Sequence, residues 1–460
     1  METLAILEPK EYIGTLVEKA RIAQGEFEKF TQEEVDEVVR EMGKVIYDNA
    51  VELAKMAVEE TRMGIFEDKV KKNQGKSKTI WNSLKGKKSV GIIDRNEETG
   101  IVKVAKPVGV VASVTPTTNP IVTPMCNAMF ALKGRNAIII APHPRAKKCS
   151  SYTVELMNKA IAKYRVPENL IQIIEEPSID LTNELMKAAD VVVATGGMGM
   201  VQAAYSSGKP AYGVGAGNVQ CIVDRDVDIQ EVVPKIITGR TFDNGIICSG
   251  EQTVIAPEEA YDKIMEEFIK NGGYFVKTPQ EKEAFRKALF VDGVISKDVV
   301  GQSPQQIAKL AGITIPQDTK VILIEADGIG EEDVLCKEKM CPVLATFKYK
   351  DFKDAVTIAQ TNLEVEGKGH SCAIHSNNKE NIEYAGEKLT ISRLVVNQPS
   401  STSAGGSLYN GFAPTTTLGC GTWGNNSISE NLNYTHLINV SQIGYFISDR
   451  QVPTDEEIWK

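Results

Sequence analysis

The period of the hydrophobic positions changes along the chain. Behind a capping box of Thr31 with Glu34, the apolar residues Val35, Val38, Val39, Met42, Val45 and Ile46 recur at helical spacing. A second helical run through Leu53, Met56 and Ala57 stops near Gly64, and the Lys- and Asn-rich stretch 69–88 reads as a polar connection. Two β-rich runs, 89–93 and 100–104, flank the polar turn 94–99 and predict a hairpin. From Gly109 short β-branched runs alternate with amphipathic stretches, the pattern of a parallel sheet with crossover helices. Strands are predicted at 108–114, 137–141, 171–175, 191–194 and 212–214, with helices at 121–133, 147–163, 181–188 and 199–206. A second series follows Gly217: strands at 221–223, 253–255, 321–325, 345–349, 372–375 and 394–397, with helices at 229–238, 259–271 and 352–360. The fold class is therefore α/β, with two lobes meeting near 215–217. The Gly- and Thr-rich stretch 400–424 is a loop long enough to carry function.

Composition narrows the function classes. With 52 Lys+Arg against 61 Asp+Glu the net charge is −9, which excludes nucleic acid or an anionic membrane as the main partner. The opening Met1-Glu2-Thr3 lacks the basic start of a secretory signal, and the longest uncharged stretch, 191–208, is broken by Gly and Ser. A cytoplasmic protein without a membrane span is expected. The eight cysteines are scattered with no Cys-x-x-Cys pair, and Cys336 and Cys341 lack nearby co-ligands. Reduced thiols and no metal are expected.

Three segments can carry chemistry. Thr195, Gly196 and Gly197 follow a strand and open a helix, where backbone N–H groups can receive a pyrophosphate. The three-glycine fingerprint is incomplete, so a plain tight turn explains them as well. Cys248 sits between small and polar residues just before a strand, a setting that suits a nucleophilic thiol, although most cysteines are simply small buried hydrophobes. Thr115, Pro116, Thr117 and Asn119 form a proline-braced turn after a buried strand. There Asn119 is either a donor aimed into a site or a turn initiator.

In this order, TPTTNP, APHPRAKK, TGGMGM, YSSGKPAYGVGAGN, FDNGIICSGEQ and KEKMCP make the chain resemble the coenzyme A-acylating branch of the aldehyde dehydrogenase superfamily. Within that branch EGKGH, SRLVVNQP, AGGS and TLGCGTWGNNSISENLNYTHLINVS are most similar to CoA-dependent succinate-semialdehyde dehydrogenases of anaerobic bacteria. The resemblance implies two Rossmann-like lobes: residues 1–216 bind the nicotinamide cofactor and 217–432 carry the catalytic Cys. A segment, 433–460, would join the hairpin 89–104 in a homodimer or homotetramer.

The resemblance also implies roles. Cys248 is the nucleophile and Asn119 the oxyanion-hole side chain. Thr195, Gly196 and Gly197 meet the pyrophosphate, with Thr115, Pro116 and Thr117 beside the cofactor. Glu338 holds the nicotinamide ribose, while His143, Pro144 and Arg145 meet the adenosine ribose. Arg393, Ser401, Thr402 and Ser403 are expected to line the carboxylate end of the substrate pocket.

Two departures from the hydrolytic relatives matter. Those enzymes carry a Glu that activates water, whereas Gly213-Val214-Gly215 puts Val214 at about that position. A thiol with a pKa of about 8.5 needs no such base, so a thiol acceptor is favoured. Around the adenosine ribose, APHPRAKK supplies no carboxylate, and Arg145, Lys147 or Lys148 can pair with a 2′-phosphate, so both NAD and NADP are expected as cofactors. The expected reaction joins succinate semialdehyde and CoA into succinyl-CoA. Short aliphatic aldehydes are the rival substrates, and a phosphate-dependent acyl reductase or a non-enzymatic nucleotide binder are the rival classes. No iron-dependent alcohol dehydrogenase domain is expected after Lys460, and the short leader before the first helix leads us to expect the free cytosol.

Overall fold

The computed structural model describes residues 8–460. Four helices open the chain, Pro9–Phe27, Gln32–Asp48, Ala50–Thr61 and Phe66–Leu84. The capping box expected at Thr31 is present, with the Thr31 side chain accepting from the Glu34 N–H. The stretch read as a polar connection is in fact the fourth helix, Phe66–Leu84. Its composition misled because Lys normally marks a solvated face. Here Lys69, Lys72 and Asn73 are buried.

These helices cover a five-stranded parallel sheet in the order Ile171–Ile173, Ala137–Pro142, Val110–Thr115, Val191–Thr195, Ala211–Val214. Its strands are runs of Val, Ile and Ala because both faces are covered, so alternation is absent. Arg21 of the first helix clamps Asp190 with two 2.8 Å bonds, and Asp190 also accepts the Val110 N–H. The bidentate pair fixes that helix against the edge from which the central strand leaves.

A second parallel sheet has seven strands, in the order Gly273–Phe275, Val321–Glu325, Val343–Tyr349, Thr253–Pro257, Gln220–Val223, Gly369–His375, Ile391–Val396. The first sheet thus takes its strands from before Val214 and the second from after Gln220. The chain does not stay with the second sheet, since Leu432 and Leu437 return to the first core.

The hairpin is present as Gly91–Asn96 and Ile101–Pro107, and Ile438–Gly444 adds a third antiparallel strand along it. That outer strand leaves Val440 and Ile443 exposed, followed by exposed Tyr445 and Phe446. Among the described residues no helix is long and apolar enough to cross a membrane.

Register places the site. Thr115 lies beside Pro142, and Thr195 beside Val214, at the carboxyl ends of adjacent strands. The segments TPTTNP, APHP, TGG and GVGAG therefore all open on one edge of the first sheet, where open α/β sheets bind ligands.

Candidate active site

The loop that delivers Cys248 begins with an unusual backbone. Asp243, Asn244 and Gly245 run consecutively in the left-handed region, at φ of 53°, 52° and 70°. Such a run is costly for non-Gly residues and persists only where the surroundings hold it. Asp243 is fully buried and accepts from Lys72 at 2.6 Å, Lys69 at 3.0 Å and the Ile65 N–H at 2.8 Å. Asn244 donates to the Gly301 carbonyl. Burial works against the Asp243 carboxylate, but Lys72 and Lys69 outweigh it and hold its pKa below the ordinary value.

Cys248 itself is half-buried. Burial, with the Glu338 carboxylate adding to it, pushes the thiol up to about 12. The other seven cysteines are all buried. Gly217 closes on the Cys248 backbone: a Cβ there would lie 2.0 Å from the Cys248 carbonyl oxygen. Any side chain at 217 is thereby excluded, which gives the GVGAG segment a structural reason for its last glycine.

Glu338 sits in the same place. Its carboxylate accepts the Gly217 N–H at 3.1 Å, and burial followed by the neighbouring Glu366 raises it to about 8. His370 was not singled out in the sequence, because a lone His in EGKGH carries no spacing signal. Its ring lies 3.3 Å from a Cβ built on Gly217, and its Nε2 is buried without a partner. Burial, then Arg393, lowers His370 to about 3, so the ring is neutral.

Asn119 stands at the edge of the first sheet with its Oδ1 accepting from Lys72 at 2.8 Å. Among the described residues its amide NH₂ donates to no protein acceptor, so both hydrogens remain for a ligand. The nearby Thr115 hydroxyl is buried and unpartnered. Thr117 is buried and Pro116 half-buried.

The nucleotide turn offers an open cradle. A Cβ on Gly197 would meet nothing within 4 Å, and one on Gly196 only Met200 at 3.8 Å. Helix Met198–Tyr205 starts there, and the Thr195 hydroxyl is 3.0 Å from that of Thr417. Bare backbone at a helix start, plus the orphaned Thr115 hydroxyl, suits a dinucleotide.

His143, Pro144 and Arg145 form a short turn at the end of Ala137–Pro142, with His143 Nδ1 accepting the Arg145 N–H at 3.1 Å. The absence of carboxylates inferred from APHPRAKK is corrected by the fold. Glu60 accepts the Lys148 and Cys149 N–H groups at 2.9 and 2.8 Å, and Glu176 pairs with Lys147. Both carboxylates arrive from distant segments, so spacing within the motif did not reveal them. They weaken the case for a 2′-phosphate here.

The residues expected at the far end of the substrate pocket separate. Arg393 lies beside Ser371 in register and is a structural hub, not a free cation. Its Nε donates to Ser371, Nη1 to Asn431 and Ser429, and Nη2 to the His370 and Gly419 carbonyls. With all five donors engaged, none is left for a substrate carboxylate. Thr402 is exposed and turns back to Pro399, while Ser403 is buried. Ser401 packs near Gly250, and its hydroxyl is buried without a partner.

A second buried cation of the site, Lys76, was hidden in the sequence. Lys76, one turn beyond Lys72, donates to the Gly405 and Thr415 carbonyls at 2.8 and 3.0 Å. It keeps a third hydrogen. Burial lowers Lys76 to about 8, with Cys126 and Cys248 close enough to counter this in part. Val214 is buried at the end of its strand.

The aldehyde dehydrogenase family model matches residues 7–303. The chain belongs to the aldehyde dehydrogenase family. Succinate-semialdehyde dehydrogenase (acetylating) of Clostridium kluyveri is 60% identical over 447 residues, 97% of this chain and 98% of that one. Sulfoacetaldehyde dehydrogenase (acylating) of Bilophila wadsworthia is 43% identical over 97% of each chain. The solved acetylating aldehyde dehydrogenase from Geobacillus thermoglucosidasius superposes with a TM-score of 0.93 at 40% identity, covering 97% of this chain and 98% of that one. This aldehyde dehydrogenase therefore shares its architecture with a solved acetylating member of the family.

Proposed function

We propose that the chain is a CoA-acylating aldehyde dehydrogenase that interconverts succinate semialdehyde, CoA and NAD(P)⁺ with succinyl-CoA and NAD(P)H. The observation that carries this reading is one arrangement: Lys72 bonds both Asn119, whose amide NH₂ donates to no described residue, and Asp243 of the loop that delivers Cys248. The 60% identical Clostridium kluyveri enzyme supports the substrate.

The Cys248 thiolate adds to the aldehyde carbon. The resulting oxyanion is held by the Asn119 amide and the Cys248 N–H, placed where charge develops. Residues 195–197, Thr115 and Glu338 would hold a nicotinamide cofactor, which would supply the hydride acceptor. Loss of hydride leaves a thioester on Cys248. The CoA thiolate then attacks the thioester carbonyl, and collapse releases acyl-CoA with Cys248 leaving as the thiolate.

Lys76 is the cation placed to receive the distal carboxylate of the substrate. Lys76→Met is expected to raise KM for succinate semialdehyde about 10-fold or more while leaving propionaldehyde within about threefold, from loss of one charge-assisted bond. An equal effect on both aldehydes would remove Lys76 from substrate selection.

The two lobes 1–216 and 217–432, with 433–460 in assembly, describe a homo-oligomer, dimer or dimer of dimers. The exposed apolar residues of the third hairpin strand support this. The double variant Ile443→Asp with Tyr445→Asp is expected to elute at the monomer mass in size-exclusion chromatography with light scattering. An unchanged elution mass would place the interface elsewhere.

The deciding assay follows cofactor reduction with succinate semialdehyde, acetaldehyde and propionaldehyde, with and without CoA, for NAD and NADP in parallel. CoA-dependent turnover, ping-pong kinetics and preference for succinate semialdehyde are expected. Turnover equally fast without CoA would defeat the acylation reading, and support by orthophosphate instead would assign the rival class.

A further inference from the structure

We propose that Lys72 is a positioning residue for the oxyanion hole: its ammonium ties the Asn119 carbonyl oxygen to the loop that carries Cys248, so that the Asn119 NH₂ faces the reacting carbonyl. This rests on the reading of Asn119 given above.

An ammonium has only hydrogens to offer, so the atom of Asn119 that faces it at 2.8 Å must be the acceptor oxygen. The amide is thereby oriented by chemistry, and its two N–H groups turn the other way. Lys72 is in turn fixed, with its side chain 7% exposed and its nitrogen 2.6 Å from Asp243. Asp243 lies five residues before Cys248 at the start of the left-handed run. One ammonium therefore spans the two loops whose spacing sets the distance from thiol to oxyanion donor. It also touches the Thr118 carbonyl at 3.4 Å, on the residue preceding Asn119. A small cavity lined in part by Lys69, Lys72, Asn73 and Asn119 adjoins the tie.

Lys69 provides the control built into the site. It makes the same kind of buried pair with Asp243 at 3.0 Å, on the same helix, but makes no bond to Asn119. A purely structural role for the lysines would make Lys69 and Lys72 equivalent.

The test is a steady-state double-mutant cycle on the full-length enzyme, with folding monitored by thermal denaturation. Lys72→Met is expected to lower kcat about 10- to 100-fold with the aldehyde KM within about threefold, as part of the oxyanion stabilisation is lost. Introduced into Asn119→Ala, the same change is expected to cost less than about threefold further, because the residue it acts through is gone. Lys69→Met is expected to lower the melting temperature comparably and reduce kcat less than about fivefold. If Lys72→Met does not fold, Lys72→Arg keeps the charge opposite Asp243. Its larger planar head cannot occupy the point at which the ammonium meets Asn119 and Asp243 together, so the Asn119 amide is displaced and kcat falls about fivefold or more, again without effect in Asn119→Ala. Independent, multiplicative losses in the cycle, or an unchanged kcat in a folded Lys72 variant, overturn the proposal. An Asn119→Ala enzyme with unchanged kcat overturns the oxyanion reading and this proposal with it, whereas an impaired Asn119→Ala with a fully active Lys72 variant overturns this proposal alone.

Discussion

Cys248→Ala is expected to lower CoA-dependent cofactor reduction at least about 10⁴-fold, a loss of about 5 kcal/mol in transition-state stabilisation, since no other group can form the thioester. The fold should tolerate the change, as the residue is half-buried and makes no side-chain hydrogen bond among the described residues. Melting temperature near wild type with activity at background is the expected pair of results. The same thiol has a second signature. With its pKa pushed up to about 12 by burial and Glu338, alkylation by iodoacetamide keeps rising from about pH 7 to about pH 10 and does not level off near about 8.5. A plateau near the ordinary thiol value would mean that Glu338 and burial do not govern the resting nucleophile. Retained CoA-dependent turnover in Cys248→Ala would remove it as the nucleophile.

Asn119→Ala is expected to reduce kcat about 10²- to 10³-fold, or about 3–4 kcal/mol, the usual cost of one oxyanion donor. Because the ground-state aldehyde asks little of that donor, KM changes by less than about threefold. Asn119→Asp presents the sharper contrast. It is nearly the same size and can still accept from Lys72, yet it puts an anion where an oxyanion forms, so its activity should fall below that of the alanine variant. A larger effect on KM than on kcat would recast Asn119 as a ground-state contact.

What the chain disclosed before folding depends on how each feature is built. The buried strands of both sheets were legible because continuous runs such as Val191-Val192-Val193 have few other destinations. The hairpin was legible from its alternation around a polar turn. The helix Phe66–Leu84 was not, although Lys69, Lys72 and Lys76 stand at helical spacing, because a lysine face normally points to water. What turns it inward is a set of acceptors far along the chain, Asp243, Gly405 and Thr415. Arg393 failed in the opposite direction. It looked available because Ser371, Asn431 and the Gly419 carbonyl, which consume its donors, are only assembled by the sheet register and the returning loop. Glu60 and Glu176 were invisible for the same reason.

The lysine-bearing helix has a consequence for how activity is acquired during synthesis. Its contacts close enormous loops: Lys72 waits 171 residues for Asp243, and Lys76 waits 339 for Thr415. Thr415 follows the last strand of both sheets, so the Lys76 contact closes only after every strand of either sheet has been made. A nascent chain can thus hold both sheets and the nucleophile loop while the Lys76 ammonium is still solvated. A helix made before both sheets is thus completed only after both, and the cation near the thiol is seated once the returning loop encloses it.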